Sequence, residues 1–316
     1  MKKVLLTGAN GFVGSVLRSQ LTAAGWVVTG VSSVRSEPAM AGDIQLDIRD
    51  VQRVEQVIQD VQPDAFVHLA AVTHVPTSFR EPQMTWHTNV LGTLNVLEAL
   101  KKHAPQAFLL FISSSEVYGE AFKSGEKLNE LSRCLPVNPY AASKLAAELA
   151  CEQHFRQGFP GVIARPFNHI GPGQSPDFVT ASFARQIAHI EAGLQAPVMK
   201  VGNLDASRDF LDVRDVCEAY VQLLALAGGP LTERVFNIAS GRACKIRDVL
   251  DELLRQSSVS IEVQLDPERL RPSDIPFAVG DSQRMSVTTG WQARYPLSET
   301  LAELLADWRA KASLGQ

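Results

Sequence analysis

The chain has 316 residues, enough for one large domain or two smaller units sharing a core. Its 45% hydrophobic content, 20% charged content and net charge of −4 are ordinary for a soluble enzyme, with no sign of a polybasic nucleic-acid or membrane surface. No apolar run approaches the roughly 18 residues of a membrane span, and Thr7-Gly8 cuts the first apolar run too early for a signal peptide. Cys134, Cys151, Cys217 and Cys244 form no Cys-x-x-Cys pair, so reduced thiols, a cytoplasmic location and no metal centre are expected.

Val4-Leu5-Leu6 reads as a buried strand running into Thr7-Gly8-Ala9-Asn10-Gly11-Phe12-Val13-Gly14, with a helical pattern from Ser15 to Ala24. Strand, glycine-rich turn and helix make the first half of a βαβ unit that binds a dinucleotide. Gly8 permits the tight turn, Gly11 lets backbone approach a pyrophosphate, and Gly14 allows close helix–strand packing. The second strand, residues 26–33, ends in Ser32-Ser33, and Arg35 follows where many NAD enzymes carry an acidic residue. Two hydroxyls and a guanidinium suit a 2′-phosphate better than a ribose diol, so NADPH is expected, with NADH possible.

Residues 45–48 form a third strand, and Asp47 is placed either to cap the helix at 51–61 or to receive an adenine amino group. The apolar strand 64–71 ends in Ala70 and Ala71, small enough to leave room for a cofactor. A helix over 85–103 carries Asn89, Gly92 and Asn95, and residues 108–113 form the fifth strand. Ser113-Ser114-Ser115-Glu116-Val117-Tyr118-Gly119 follows that strand, at the carboxyl edge where such sheets bind ligands. Beyond lie strands at 161–166, 197–201, 235–239 and 261–265, and helices at 178–192, about 215–227, 246–257 and 297–310. The fold class is α/β: a doubly wound, Rossmann-type parallel sheet with a smaller interleaved C-terminal cap. The dinucleotide-binding part is expected over 1–166, with returning segments about 212–242. The substrate-binding cap is expected over 167–211 and 243–316.

Asn138-Pro139-Tyr140-Ala-Ala-Ser-Lys144 opens a helix, because proline is tolerated where no donor is needed. Tyr140 and Lys144 then lie one turn apart on one face. An ammonium at that distance is expected to favour the phenolate and lower the tyrosine pKa.

Together with Asn89-Val-x-Gly-Thr93, Arg165-Pro166 and Thr289-Gly290-Trp291, these motifs resemble the extended short-chain dehydrogenase/reductase family along the whole chain. The resemblance implies Ser114 as the catalytic hydroxyl, Tyr140 as the acid/base, and Lys144 as the partner of the nicotinamide ribose. Cofactor contacts are then expected at Gly8, Asn10, Gly11, Phe12, Val13, Gly14, Ser33, Arg35, Asp47, Ile48, Leu69, Ala70 and Ala71, besides Tyr140 and Lys144. Ser-Ser-Ser-Glu-Val-Tyr-Gly, Arg-Pro-Phe-Asn-His-Ile-Gly-Pro-Gly-Gln and Arg271-Pro-Ser-Asp274 resemble its nucleotide-sugar branch acting on GDP-hexoses. This implies a homodimer that reduces the C4 keto group of GDP-4-keto-6-deoxy-D-mannose. Ser78, Ser115, Glu116, Asn168, Arg208, Arg271 and Asp274 would meet the substrate. A 4,6-dehydratase, a nucleotide-sugar 4-epimerase and a non-catalytic dinucleotide-binding regulator are the alternatives.

Overall fold

The computed structural model describes residues 1–33, 40–269 and 275–315. Strands β1 (Lys3–Thr7), β2 (Val27–Ser32), β3 (Ile44–Gln45), β4 (Ala65–His68), β5 (Phe108–Ile112), β6 (Gly161–Pro166) and β7 (Val235–Ile238) form one sheet, ordered β7-β6-β5-β4-β1-β2-β3. Every pairing is parallel. The order reverses at β1, which lies between β2 and β4, and this opens a crevice at the carboxyl ends of β1 and β4. The expected doubly wound sheet is therefore present.

Helices α1 (Phe12–Ala23), α2 (Val51–Val61), α3 (Gly92–His103), α4 (Pro139–Arg156), α5 (Val179–Glu191), α6 (Val213–Leu224), α7 (Ile246–Arg255) and α8 (Leu297–Ser313) complete the frame. Alternation along β5 shows how the sheet is covered on both faces. Leu110 and Ile112 pack with Leu17 and Leu21 of α1 and Val216 and Tyr220 of α6. Leu109 and Phe111 pack instead with α2, α3 and α4, through Ile58, Leu100, Ala147 and Cys151. A third apolar cluster joins α5, α7 and α8 through Phe183, Ile187, Leu250 and Leu304, beside the parallel pair Val198–Val201 and Glu262–Leu265. Among the described residues, no helix is long and apolar enough to cross a membrane.

Two local expectations change. The cap of α2 is Asp50, whose carboxylate accepts from the Arg53 backbone N–H at 3.1 Å. Asp47 lies three residues before that N-cap and instead accepts from the Arg49 guanidinium at 2.6 Å. The helix expected over 85–103 is also not uniform: a π turn, His87–Leu91, separates Pro82–Trp86 from α3. Asn89 lies within that turn and faces inward at 2% exposure, on the same side as the buried Thr85 and Thr93.

Candidate active site

The cofactor crevice begins at the glycine turn. Gly8 has φ +71°, and a Cβ at Gly14 would stand 2.2 Å from the Gly8 carbonyl oxygen, so the turn and the entry of α1 exclude side chains. Gly11 is the N-cap of α1 and supplies no side-chain acceptor, which leaves the first-turn N–H groups for an anion. Phe12 stacks on His169, with ring centroids 6.0 Å apart, and so joins the turn to the loop after β6. Leu69 and Ala70 face Gly8 across the crevice. Asn95 donates to the Ile48 carbonyl at 3.0 Å, fixing the loop after β3. At the end of β2 the buried Ser32 hydroxyl has no hydrogen-bond partner among the described residues, while Ser33 is exposed. These features fit a dinucleotide: a side-chain-free cradle for the diphosphate and an unanswered hydroxyl near the adenosine end. Arg35, the other residue expected there, lies outside the described residues.

The reactive side chains gather at the carboxyl end of β5. Ser114 caps the turn Ser115–Tyr118, accepting from the Glu116 backbone N–H at 3.2 Å, and its hydroxyl lies near enough to the Tyr140 phenol to act on its pKa. Asn138 organises the same corner, accepting from Ala141 N–H at 2.8 Å as the N-cap of α4 and donating to Glu116 at 3.1 Å. Burial pushes the Tyr140 phenol up to about 12; Ser114 opposes the shift and the Glu116 charge adds to it. The expected lowering by Lys144 is therefore not found in the protein alone. The reason is that desolvation of the phenolate dominates, and the Lys144 ammonium sits over the Phe111 ring, 4.9 Å from its centroid. Burial pulls Lys144 down to about 8, with Cys151 and Glu148 opposing.

Behind this corner lie polar groups that are fully buried. Asn89 bridges two elements: it accepts from Val72 N–H at 2.8 Å, donates to the Val72 carbonyl at 3.0 Å, and donates to Ser143 at 2.9 Å. Ser143 donates to the Tyr140 carbonyl at 2.7 Å. Glu148, one turn beyond Lys144, receives both arms of Arg165 at 3.0 and 2.6 Å. Arg165 also donates to the Tyr118 hydroxyl at 3.1 Å, and Tyr118 donates to Asn237 at 2.7 Å. This chain of contacts ties α4 to β6, β7 and the turn after β5.

The substrate-side residues spread over several elements. Ser115 is buried beside Ser114, and Asn168 is exposed at the start of the short strand Asn168–Ile170. Arg208 donates to the Ile275 carbonyl at 2.7 Å, while Arg271 and Asp274 lie outside the described residues. Ser78 is fully buried and donates to the Val75 carbonyl at 2.7 Å within its own helix, which leaves its hydroxyl turned inward. A cleft of about 410 Å³ beside α5, lined by Arg185, Lys200 and Arg269 among others, adds cationic residues not singled out from the sequence.

A family model described as GDP-mannose 4,6 dehydratase matches residues 5–304. The chain belongs to that family. The family lies within the extended short-chain dehydrogenases/reductases that the motifs resembled. A GDP-6-deoxy-D-mannose reductase from Pseudomonas aeruginosa is 40% identical over 98% of both chains. A GDP-mannose 4,6-dehydratase from Yersinia enterocolitica is 26% identical over 97% of this chain and 93% of its own. Among solved structures, RMD from Pseudomonas aeruginosa complexed with NADPH superposes with a TM-score of 0.85 at 38% identity, covering 98% of this chain and all of that one.

Within this family member, sequence reasoning missed His68, Glu148 and Asp209. Each is a polar residue at no more than 2% exposure, and its partners lie tens of residues away. Asn89 was noticed as part of a motif, but nothing local indicated that it would clamp Val72 to the helix of Tyr140. The usable signal was the polar residue inside an otherwise apolar strand, as at His68.

Proposed function

We propose that the chain reduces the C4 keto group of GDP-4-keto-6-deoxy-D-mannose to give GDP-D-rhamnose, with NADPH as reductant. The observation that carries this reading is the 40% identity to the Pseudomonas aeruginosa reductase over nearly the full length of both chains, against 26% for the Yersinia enterocolitica dehydratase. When bound, NADPH supplies the hydride. The protein's own residues orient the carbonyl and move the proton. Tyr140 donates to O4 as negative charge develops there, and Ser114 hydrogen-bonds the same oxygen. A phenol held at about 12 stays protonated at working pH yet remains far more acidic than an alcohol, which suits the direction of reduction. Lys144 holds the nicotinamide ribose. Gly8, Gly11, Gly14 and the N-terminus of α1 hold the diphosphate, and Asn10, Phe12, Val13, Asp47, Ile48, Leu69, Ala70 and Ala71 line the cofactor.

The preference for NADPH is assigned to Ser32, Ser33 and Arg35. Supporting it, the carboxylate next to β2, Asp43, is held by both arms of Arg18 at 2.8 Å and also accepts from Gly30 N–H, so it does not oppose a phosphate. Arg35→Ala is expected to lower the NADPH-over-NADH ratio of kcat/KM by about tenfold, the loss of one charged hydrogen bond of ~1.5 kcal/mol. An unchanged ratio would remove Arg35 from the assignment.

On the substrate side, Ser115 and Glu116 meet the nucleotide sugar from the turn after β5, and Asn168, Arg208, Arg271 and Asp274 meet it from a cap formed by 167–211 and 243–316. Ser78 is retained only as a wall behind the pocket, because its hydroxyl is turned inward. The active unit is a homodimer. Trp86, Leu91, Leu94 and Leu149 are exposed on neighbouring helices and offer an apolar face for a second copy. The four free cysteines support a cytoplasmic location.

A dehydratase is the second reading, favoured by one feature: Glu116 lies close enough to Tyr140 for its charge to act on the phenol. The two reactions differ in cofactor balance. Given GDP-4-keto-6-deoxymannose, the protein should consume one NADPH for each product formed. Given GDP-mannose with only catalytic NADP, it should show no sustained conversion. Many turnovers of GDP-mannose to the keto sugar without net NADPH loss would establish the dehydratase instead.

A further inference from the structure

His68 ends β4 at 2% exposure, and the proposed chemistry makes no use of it. Its two ring nitrogens face two threonine hydroxyls: Nδ1 is 2.9 Å from Thr7 Oγ1, and Nε2 is 3.2 Å from Thr93 Oγ1. Thr93 donates its one proton to the Asn89 carbonyl at 2.7 Å, so towards the imidazole it is an acceptor. The ring proton therefore belongs on Nε2. Nδ1 is then a bare acceptor for the Thr7 hydroxyl, whose own lone pair takes the Ala70 N–H at 3.1 Å. Thr7 Oγ1 also lies 3.4 Å from the Val67 carbonyl, but Nδ1 at 2.9 Å is the nearer acceptor for its proton, and with that choice the ring is neutral. Burial supports this by holding the His68 pKa at about 3, with the Lys144 charge acting in the same direction. The bonds run from the cofactor edge at Thr7 and Ala70 to Asn89, whose side chain holds Ser143 and through it the Tyr140 carbonyl.

We propose that His68 is a positioning residue for hydride transfer. As a neutral imidazole with its proton on Nε2, it fixes the cofactor edge of the sheet to Asn89 and so to the turn of α4 that carries Tyr140. This rests on the reading of Tyr140 as the proton donor.

The test has two arms. Histidine-¹⁵N spectra of the whole protein, with the His68 signals assigned by their loss in His68→Asn, should show the neutral Nε2–H tautomer from pH 5 to 9. A charged ring at pH 7, or the proton on Nδ1, overturns the proposal. In the kinetic arm, His68→Gln places an amide N–H near the Nε2 position and should keep kcat within about threefold, whereas His68→Asn keeps only the Thr7 contact. His68→Asn and Thr93→Val should each lower kcat by about tenfold or more, as misalignment of reacting groups does. NADPH affinity should stay within about threefold, and the double variant should add little, since both remove one contact. Unchanged kcat in both single variants, or losses that follow folded fraction and NADPH affinity alone, would reduce His68 to a core residue. Thr93→Val keeps the arm decisive if His68→Asn fails to fold. The tautomer is read without substrate, so failure of the wild type to reduce the keto sugar would count against the proposed reaction and not against His68.

Discussion

Tyr140→Phe is expected to lower kcat by roughly 10²–10⁴-fold, the range supplied by general acid catalysis, with little change in NADPH affinity. The ring is buried and caged by α4 and the turn after β5, so phenylalanine preserves the packing and removes only the hydroxyl. Ser114 still faces the substrate oxygen, but its hydroxyl, much less acidic than a phenol, is a poor substitute as proton donor. Burial pushes the Tyr140 phenol up to about 12, which keeps it protonated throughout the neutral range. The kcat profile of the wild type should therefore show no loss from Tyr140 ionisation below about pH 9. Steady-state NADPH oxidation, paired with cofactor titration by fluorescence quenching, measures both quantities. Comparable turnover in the variant would remove Tyr140 from the chemistry.

The largest effect on stability is expected at Arg165. Its guanidinium and the Glu148 carboxylate have side-chain exposures of 6% and 1%, so neither has water to fall back on. Burial by itself would lower the Arg165 pKa, but Glu148 outweighs it and the net shift is upward. Arg165→Met leaves the carboxylate buried without its bidentate partner, which costs about 3–5 kcal/mol. It also removes a donor to the buried Tyr118 hydroxyl, which keeps its own donation to Asn237. Replacing both members, Glu148→Met with Arg165→Met, should cost less than Arg165→Met alone, because no uncompensated charge remains. Urea unfolding of the two variants and the wild type gives the comparison. A wild-type midpoint for Arg165→Met would show that the site relaxes or takes in water.

Lys144, the proposed ribose partner, is coupled to this pair through Glu148, one turn along α4. Loss of Arg165 therefore places an unbalanced carboxylate beside the Lys144 ammonium, and the two effects meet at the cofactor. For that reason stability and NADPH affinity are measured on the same preparations.

The sequence by itself determined the features that are local. The glycine turn, the buried strands β4 to β6 and the four-residue spacing of Tyr140 and Lys144 depend on backbone sterics and on the 2.0 and 3.6 periodicities. They were legible because neighbours along the chain decide them. Only the tertiary structure decided what depends on distant partners. Asp50 caps α2 in place of Asp47 because the helix begins at Val51, directly after Asp50 and four residues after Asp47. The Tyr140 pKa moves up because the fold desolvates the phenol, an effect that Tyr-x-x-x-Lys spacing cannot express. Asn89 meets Ser143 of α4 across 54 residues. His68 meets Thr7 across 61 residues, and Tyr118 meets Asn237 across 119. Which buried polar group finds which partner is set by the folding of the whole chain, since it depends on strand order and helix packing that no short window contains.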